Sequence, residues 1–299
     1  MFNSFARSKA EKNRLLFIKN CTIFDTPRLE AEVFPAECKC EMDVIYKDGD
    51  HPLKLDVYTP FGCYGAKECF ILIHGGAFVY GFKKLDQNFG MHLAIKAGIP
   101  VVNVDYTLMP DATLSEIIDE IFKAMNFVYI KYGFKKYHTV GDSAGGYLAY
   151  MVAVAARSRH VAHGMWVFEK LRGTVESAGL VCPGIKNSTK EFPGIYFENL
   201  QGTKDDMQRL PDYAYDLNLI AERDAGLRVA IITGEEDFLR EQDREFSKHF
   251  DSAYFYDAVN EGDLHMHHVF PIAHPEWPQS VKAIGLIAEN AVGRREIPE

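Results

Sequence analysis

Four short stretches hold residue types from which chemistry could be built. TVGDSAGGYLAYM, beginning at Thr139, sets Ser143 between Gly141 and Gly145. ILIHGGAFVYG, from Ile71, carries His74-Gly75-Gly76-Ala77-Phe78. ITGEEDFLREQD contains Asp237, and NEGDLHMHHVF contains His265, His267 and His268. A serine hydroxyl is barely nucleophilic at neutral pH and needs a base to take its proton. An imidazole serving as that base needs a carboxylate to fix its tautomer and stabilise the imidazolium. A diglycine turn can aim bare backbone N–H groups at an oxyanion. Acyl transfer is the chemistry these parts could perform together.

The elements that must position them follow from periodicity. Short apolar or β-branched runs recur over residues 43–47, 53–59, 69–74, 100–106, 138–142, 178–183, 227–233 and 253–259. The first two alternate and flank a turn at Asp48-Gly49-Asp50, as a half-exposed hairpin would. The others are nearly continuous, as parallel strands covered on both faces are. Between them, Leu114, Ile117, Ile118, Ile121, Phe122 and Met125 fall on one helical stripe. Thr113 and Glu116 spell a capping box at its start. Ala144 to Ala156 is apolar nearly all round, which predicts a buried helix. The segment ending at Gly98 and the tail from Pro278 to Val292 also read as helices. This alternation predicts an α/β fold with a mostly parallel, eight-stranded, doubly wound sheet.

On that sheet Ser143 lies where a strand turns sharply into a helix. Small residues two before and two after relieve the crowding of such a turn, and the helix end behind it offers free N–H groups and positive partial charge. A glycine-rich strand–helix turn can equally cradle a phosphate. Chain order on such a sheet runs serine, acid, histidine, and the loops holding Asp237 and the histidines follow the last two strands. All three parts therefore fall on one rim.

Composition sets the outer bounds. The chain has 299 residues, 47% of them hydrophobic and 25% charged, which is an ordinary globular mix. A net charge of -9 argues against a nucleic-acid partner. Six cysteines show no C-x-x-C spacing, which fits reduced thiols and a cytoplasmic location. The apolar run Leu15–Ile18 is too short for a leader or a membrane span, so no stable membrane insertion is expected. Arg7, Lys9, Lys12, Arg14 and Lys19 read as the solvated face of a helix, with contact to anionic lipid or a transit peptide as the alternatives. No linker divides the chain, so residues 1–299 read as one domain. Residues 1–40 and about 187–226 fit the alternation poorly and are expected to form a small helical cap, with Phe2, Phe5, Tyr196, Phe197, Tyr213 and Tyr215 as its aromatics.

The motifs together resemble the hormone-sensitive-lipase-like branch of the α/β-hydrolase esterases. The family pattern H-G-G-G-[FW] stands here as His74-Gly75-Gly76-Ala77-Phe78, and G-D-S-A-G-G is matched in full from Gly141 to Gly146. D-Y-R-L-A-P resembles Asp105 to Pro110, G-x-x-D-x-L-R-D resembles Gly234 to Glu241, and H-G-F resembles His268-Val269-Phe270. The third glycine is replaced by Ala77 and the basic residue after Asp105-Tyr106 by Thr107. The resemblance implies Ser143 as nucleophile, His268 as base in preference to His267, and Asp237 as the orienting acid. It implies Gly75, Gly76 and Ala144 as oxyanion donors, with Ala77, Phe78 and Asp142 against the substrate. Asp142 also reads as a hydrogen-bonding residue beside the serine, and Asp105 as a tie from strand end to loop. The substrate is a small ester of short to medium acyl chain, and no cofactor is implied. A metal reading of His265, His267 and His268 is set aside because their spacing is not a familiar zinc pattern. An arylformamidase or a carbohydrate acetylesterase would use the same machinery. A non-catalytic ligand-binding relative belongs to another class, and would be expected to lack a member of the set. A homodimer is compatible with all of this.

Overall fold

The computed structural model describes residues 2–187, 210–221 and 226–293, with residues 2–10 by backbone alone. The expected cap aromatics Tyr196 and Phe197 lie outside the described residues, as do the side chains of Phe2 and Phe5. Among the described residues the strands are β1 (Cys38–Lys47), β2 (Leu53–Pro60), β3 (Glu68–Ile73), β4 (Val101–Val104), β5 (Lys136–Asp142), β6 (Thr174–Val181), β7 (Arg228–Gly234) and β8 (Phe255–Ala258). They form one sheet in the order β1-β2-β4-β3-β5-β6-β7-β8. Only the β1–β2 and β2–β4 pairings are antiparallel. From β4 to β8 every pairing is parallel.

The main helices are α1 (Phe2–Ala31), α2 (Gln87–Ala97), α3 (Leu114–Tyr132), α4 (Ala144–Arg157), α5 (Arg240–Ser247) and α6 (Pro278–Val292). Strand pleating splits the core into two layers. Cys69, Ile71 and Ile73 of β3 face the layer that holds α3 and α4, whereas Phe70 and Leu72 face the layer with α2 and α6. In β7, Val229 and Ile231 join the first layer and Ala230 and Ile232 the second. A period of two with both faces covered explains why these strands read as continuous apolar runs.

The α3 stripe is buried as its spacing predicts: Leu114, Ile117, Ile118, Ile121 and Met125 are all fully inaccessible. Its capping box forms in both directions. Glu116 N–H donates to Thr113 Oγ1 at 3.3 Å, and Thr113 N–H donates to Glu116 Oε2 at 2.8 Å. Gly133 ends the helix at φ 78°, a conformation that costs glycine little. α4 is buried from Ala144 to Ala155, which accounts for its lack of a polar face. Three expected strands shift most. The first starts at Cys38 instead of Asp43, because Cys38–Glu41 pair with Pro60–Val57 of β2. The sixth starts earlier, at Thr174, because Thr174 and Val175 still pair with Lys136 and Tyr137. The eighth starts later, because Ser252–Tyr254 forms a 3-10 turn capped by Asp251.

No helix among the described residues is long and apolar enough to cross a membrane. All six cysteines are free. Residues 2–31, expected as cap, form the single helix α1. It is tied to the rim of the sheet by Tyr80 Oη donating to Asp25 Oδ2 at 3.0 Å and Arg28 Nη1 donating to the Leu85 carbonyl at 3.2 Å.

Ile118→Ala should lower unfolding free energy by about 2–5 kcal/mol, the range for deleting buried aliphatic atoms and leaving a cavity. Thr113→Ala, which removes only the cap, should cost about 1 kcal/mol. Urea titrations of both variants check the ranking.

Candidate active site

Ser143 sits at the joint of β5 and α4 with φ 50° and ψ -117°, outside the regions L-residues favour. Such strain costs of order 1–3 kcal/mol and persists only where the surroundings impose it. They do so here. A Cβ on Gly145 would stand 2.6 Å from the His74 carbonyl carbon, and one on Gly141 would stand 2.5 Å from the Ile73 carbonyl oxygen. Ser143 is held from both sides, its N–H donating to the Val181 carbonyl at 2.9 Å and its own carbonyl accepting from Gly184 N–H at 3.0 Å.

The two loops after β7 and β8 reach this turn. His268 Nε2 lies 2.9 Å from Ser143 Oγ, and His268 Nδ1 lies 2.9 Å from Asp237 Oδ1. The structure thus brings Ser143, His268 and Asp237 into one hydrogen-bonded row. His265 and His267 are turned to solvent, with their Nδ1 atoms 2.6 and 3.0 Å from the Glu236 carboxylate. Of the three histidines, the row uses His268. The Asp237 carboxylate is wholly buried. Burial alone would raise its pKa. The hydrogen bond and charge of His268, with hydrogen bonds from the Cys182 thiol and the Leu239 amide, outweigh this and hold it below the usual aspartate value. The Phe238 ring packs 4.4 Å from the imidazole, centroid to centroid, and covers its open side.

Cys182 is a contributor that sequence reading missed. It follows β6, takes φ 47°, and accepts from Val269 N–H at 3.3 Å while its thiol meets Asp237. In the sequence it is one cysteine among six, and no local spacing marks it.

The loop after β3 departs from expectation at Gly75. Its N–H donates to Asp142 Oδ1 at 2.7 Å, so it is unavailable to an oxyanion. The amides of Gly76, Ala77 and Ala144 donate to no acceptor among the described residues. Gly76, Ala77 and Phe78 take φ values of 103°, 51° and 64° in succession. That run of positive φ turns the peptide after Gly75 away from Asp142. His74 braces the loop: its Nδ1 lies 2.8 Å from the Gly75 carbonyl and its ring stacks on Tyr106 at 4.3 Å. Burial pulls its pKa down to about 4, so it is neutral.

Two of the expected substrate contacts are scaffold instead. Phe78 is buried and meets the Tyr147 ring edge-on at 5.6 Å, because the positive φ turns its side chain into the core. Asp142 is buried under Gly75 and against Asp86. Only Ala77 of that set stays half exposed. Asp105 accepts from Lys83 N–H at 2.7 Å, tying strand end to loop as expected. Thr107, where the family carries a basic residue, donates its N–H to Glu120 at 2.8 Å.

Asp86 and Asp142 form a buried acid pair one residue from Ser143. Burial raises the pKa of Asp142, while a hydrogen bond with Asp86, the charge of His268 and the Gly75 N–H hold that rise back. Burial and the neighbouring Asp142 push the pKa of Asp86 well above the usual range, so the pair favours a proton held between them. A groove of about 1120 Å³ under α1 is walled by Ile23, Phe24 and Pro27 of that helix, Val33, Phe34 and His274, and no residue of the Ser143–His268–Asp237 row lines it.

The comparisons with known proteins agree with this architecture. Residues 70–270 match the family described as alpha/beta hydrolase fold. The chain belongs to that family. It falls with the hormone-sensitive-lipase-like members that its motifs resemble. An AB hydrolase superfamily protein of Schizosaccharomyces pombe is 29% identical over 40% of this chain and 38% of its own length. An isoprenylcysteine alpha-carbonyl methylesterase of Arabidopsis thaliana is 30% identical over 34% of this chain and 25% of its own. The chain therefore spans well under half of the curated relatives it matches. The crystal structure of esterase B from Lactobacillus rhamnosis superposes with a TM-score of 0.81, covering 99% of this chain and 100% of that one at 23% identity.

A carboxyl whose pKa is raised by folding binds its proton more tightly when folded. This pair therefore lowers stability as pH rises from the ordinary aspartate value, ~3.9, through the raised one. Asp86→Asn mimics the protonated carboxyl and should flatten that dependence. Urea midpoints at pH 5 and pH 8 should converge in the variant relative to the unsubstituted chain, and parallel losses in both would count against a shared proton.

Proposed function

We propose that this chain is a serine carboxylesterase that cleaves short- to medium-chain acyl esters. The observation that carries the reading is the unbroken row Asp237–His268–Ser143, with the amides of Gly76, Ala77 and Ala144 unpaired among the described residues. Ser143 Oγ attacks the ester carbonyl carbon while His268 Nε2 takes its proton. Negative charge then develops on the carbonyl oxygen and is met by the amides of Gly76, Ala77 and Ala144. Each such donor is worth roughly 10²–10³ in rate. The C–O bond breaks, the alcohol leaves with the proton from His268, and an acyl-serine remains. Water, deprotonated by His268, repeats the attack and frees the acid. Asp237 stays ionised throughout, which its depressed pKa favours, and stabilises the imidazolium.

Ester substrates are also what the names of the Arabidopsis relative and the Lactobacillus esterase indicate for those proteins. In this reading α1 serves as a cap on a single catalytic domain, while Cys38–Cys40, expected with the cap, belong to β1 of the sheet.

Ser143→Ala should cut kcat on p-nitrophenyl butyrate by roughly 10⁴–10⁶-fold and abolish labelling by a fluorophosphonate, with the melting profile retained. A p-nitrophenyl ester ladder, run beside acetylated sugars and N-formylkynurenine, reads the substrate class. Turnover that survives loss of the hydroxyl would defeat the assignment.

A further inference from the structure

We propose that Glu236, His265 and His267 form a binding site for a divalent first-row transition ion, Zn²⁺ foremost, which clamps the β7 loop to the β8 loop. The three side chains offer one carboxylate oxygen and two imidazole nitrogens, and these ligand atoms all lie within 4.8 Å of one another. His265 Nδ1 stands 2.6 Å from Glu236 Oε1, and His267 Nδ1 stands 3.0 Å from Glu236 Oε2. Ligand atoms bound ~2.0–2.1 Å from a shared tetrahedral ion stand roughly 3.3 Å apart. The observed spacings differ from that by shifts that exposed side chains make freely.

The backbone prepares the arrangement. Met266, between the two histidines, is fully buried, and a tight turn in which His267 N–H donates to the His265 carbonyl at 2.9 Å leaves both imidazoles facing outward. Their rings are parallel within 12°, with centroids 5.7 Å apart. Glu236 N–H donates to the Met266 carbonyl at 3.1 Å, which sets the carboxylate opposite the histidine pair. Asn260 Nδ2 donates to Glu236 Oε1 at 2.8 Å and fixes the carboxylate from behind, as outer partners of metal-binding carboxylates do. Asp263 adds negative charge beside His265. Two imidazoles and one carboxylate favour Zn²⁺ and its transition-metal neighbours over Mg²⁺ or Ca²⁺, which prefer oxygen throughout. The exposed side leaves the remaining positions to water.

A second cluster of the right atom types, Cys182, Asp237 and His268, is already consumed by the row at Ser143. The proposed ion lies next to that row without entering it. Glu236 precedes Asp237 and His267 precedes His268, so a bound ion fixes the separation of the loops that carry the acid and the imidazole.

The test is calorimetric titration of ZnCl₂ into EDTA-stripped protein, repeated with MgCl₂, together with thermal melts. One Zn²⁺ should bind per chain and raise the melting temperature, with no response to Mg²⁺. Affinity should fall at least tenfold in His265→Ala and in Glu236→Gln, and the melting shift should vanish in the double variant. Ser143→Ala should bind Zn²⁺ as the unsubstituted chain does, so this result stands apart from the esterase reading. Without metal, His265→Ala should keep its ester turnover and its fold by circular dichroism. Zn²⁺ binding that survives both ligand substitutions, or no binding at micromolar Zn²⁺, would overturn the site.

Discussion

Everything at this site depends on how closely three backbone segments can approach one another. The turn at Ser143 is pressed against the end of β3, and the space that a Cβ would need at Gly141 and Gly145 is filled by carbonyl groups of Ile73 and His74. Close approach does two things together. It forces Ser143 to φ 50°, which projects the hydroxyl away from both strand and helix. It also brings the loop after β3 within reach of Asp142, so that one carboxylate can hold the Gly75 amide and leave the next amides free. The stability lost to the strained serine, of order 1–3 kcal/mol, is offset by the buried layers of α3 and α4 on one face and α2 and α6 on the other.

A protein that places a strained turn beside a buried acid pair must also manage charge. Asp142 and Asp86 lie under the loop, and burial raises the pKa of both, that of Asp86 well above the usual range. On the other side of the serine, Asp237 is ionised because three groups donate to it or stand charged beside it. These carboxyl groups therefore differ in the direction of their pKa shifts for reasons of partner, since all three are buried. His74, its pKa pulled down to about 4 by burial, adds no charge of its own beside the loop after β3.

Parts of this were legible from spacing alone. The α3 stripe, its Thr113–Glu116 box and the all-apolar α4 announce their burial because helix periodicity is a local property. The order of serine, acid and histidine along the chain follows from loops at one edge of a parallel sheet. The role of Gly75 was not legible. Whether an amide is free depends on what else comes within 3 Å of it, and Asp142 lies 67 residues away along the chain. Phe78 was misplaced for a related reason, since a residue at φ 64° turns its side chain opposite to the direction its neighbours suggest.

The sequence by itself determined the alternation of strand and helix, the glycine-flanked hydroxyl and the set of residues eligible to act on it, because these rest on period, residue size and chain order. Tertiary structure decided which histidine meets the hydroxyl, which amides stay unpaired, that Cys182 supports Asp237, and that Glu236 gathers His265 and His267. Each of those outcomes is a distance between segments far apart in the chain. Such distances are fixed by packing of the two core layers, and no local pattern encodes them.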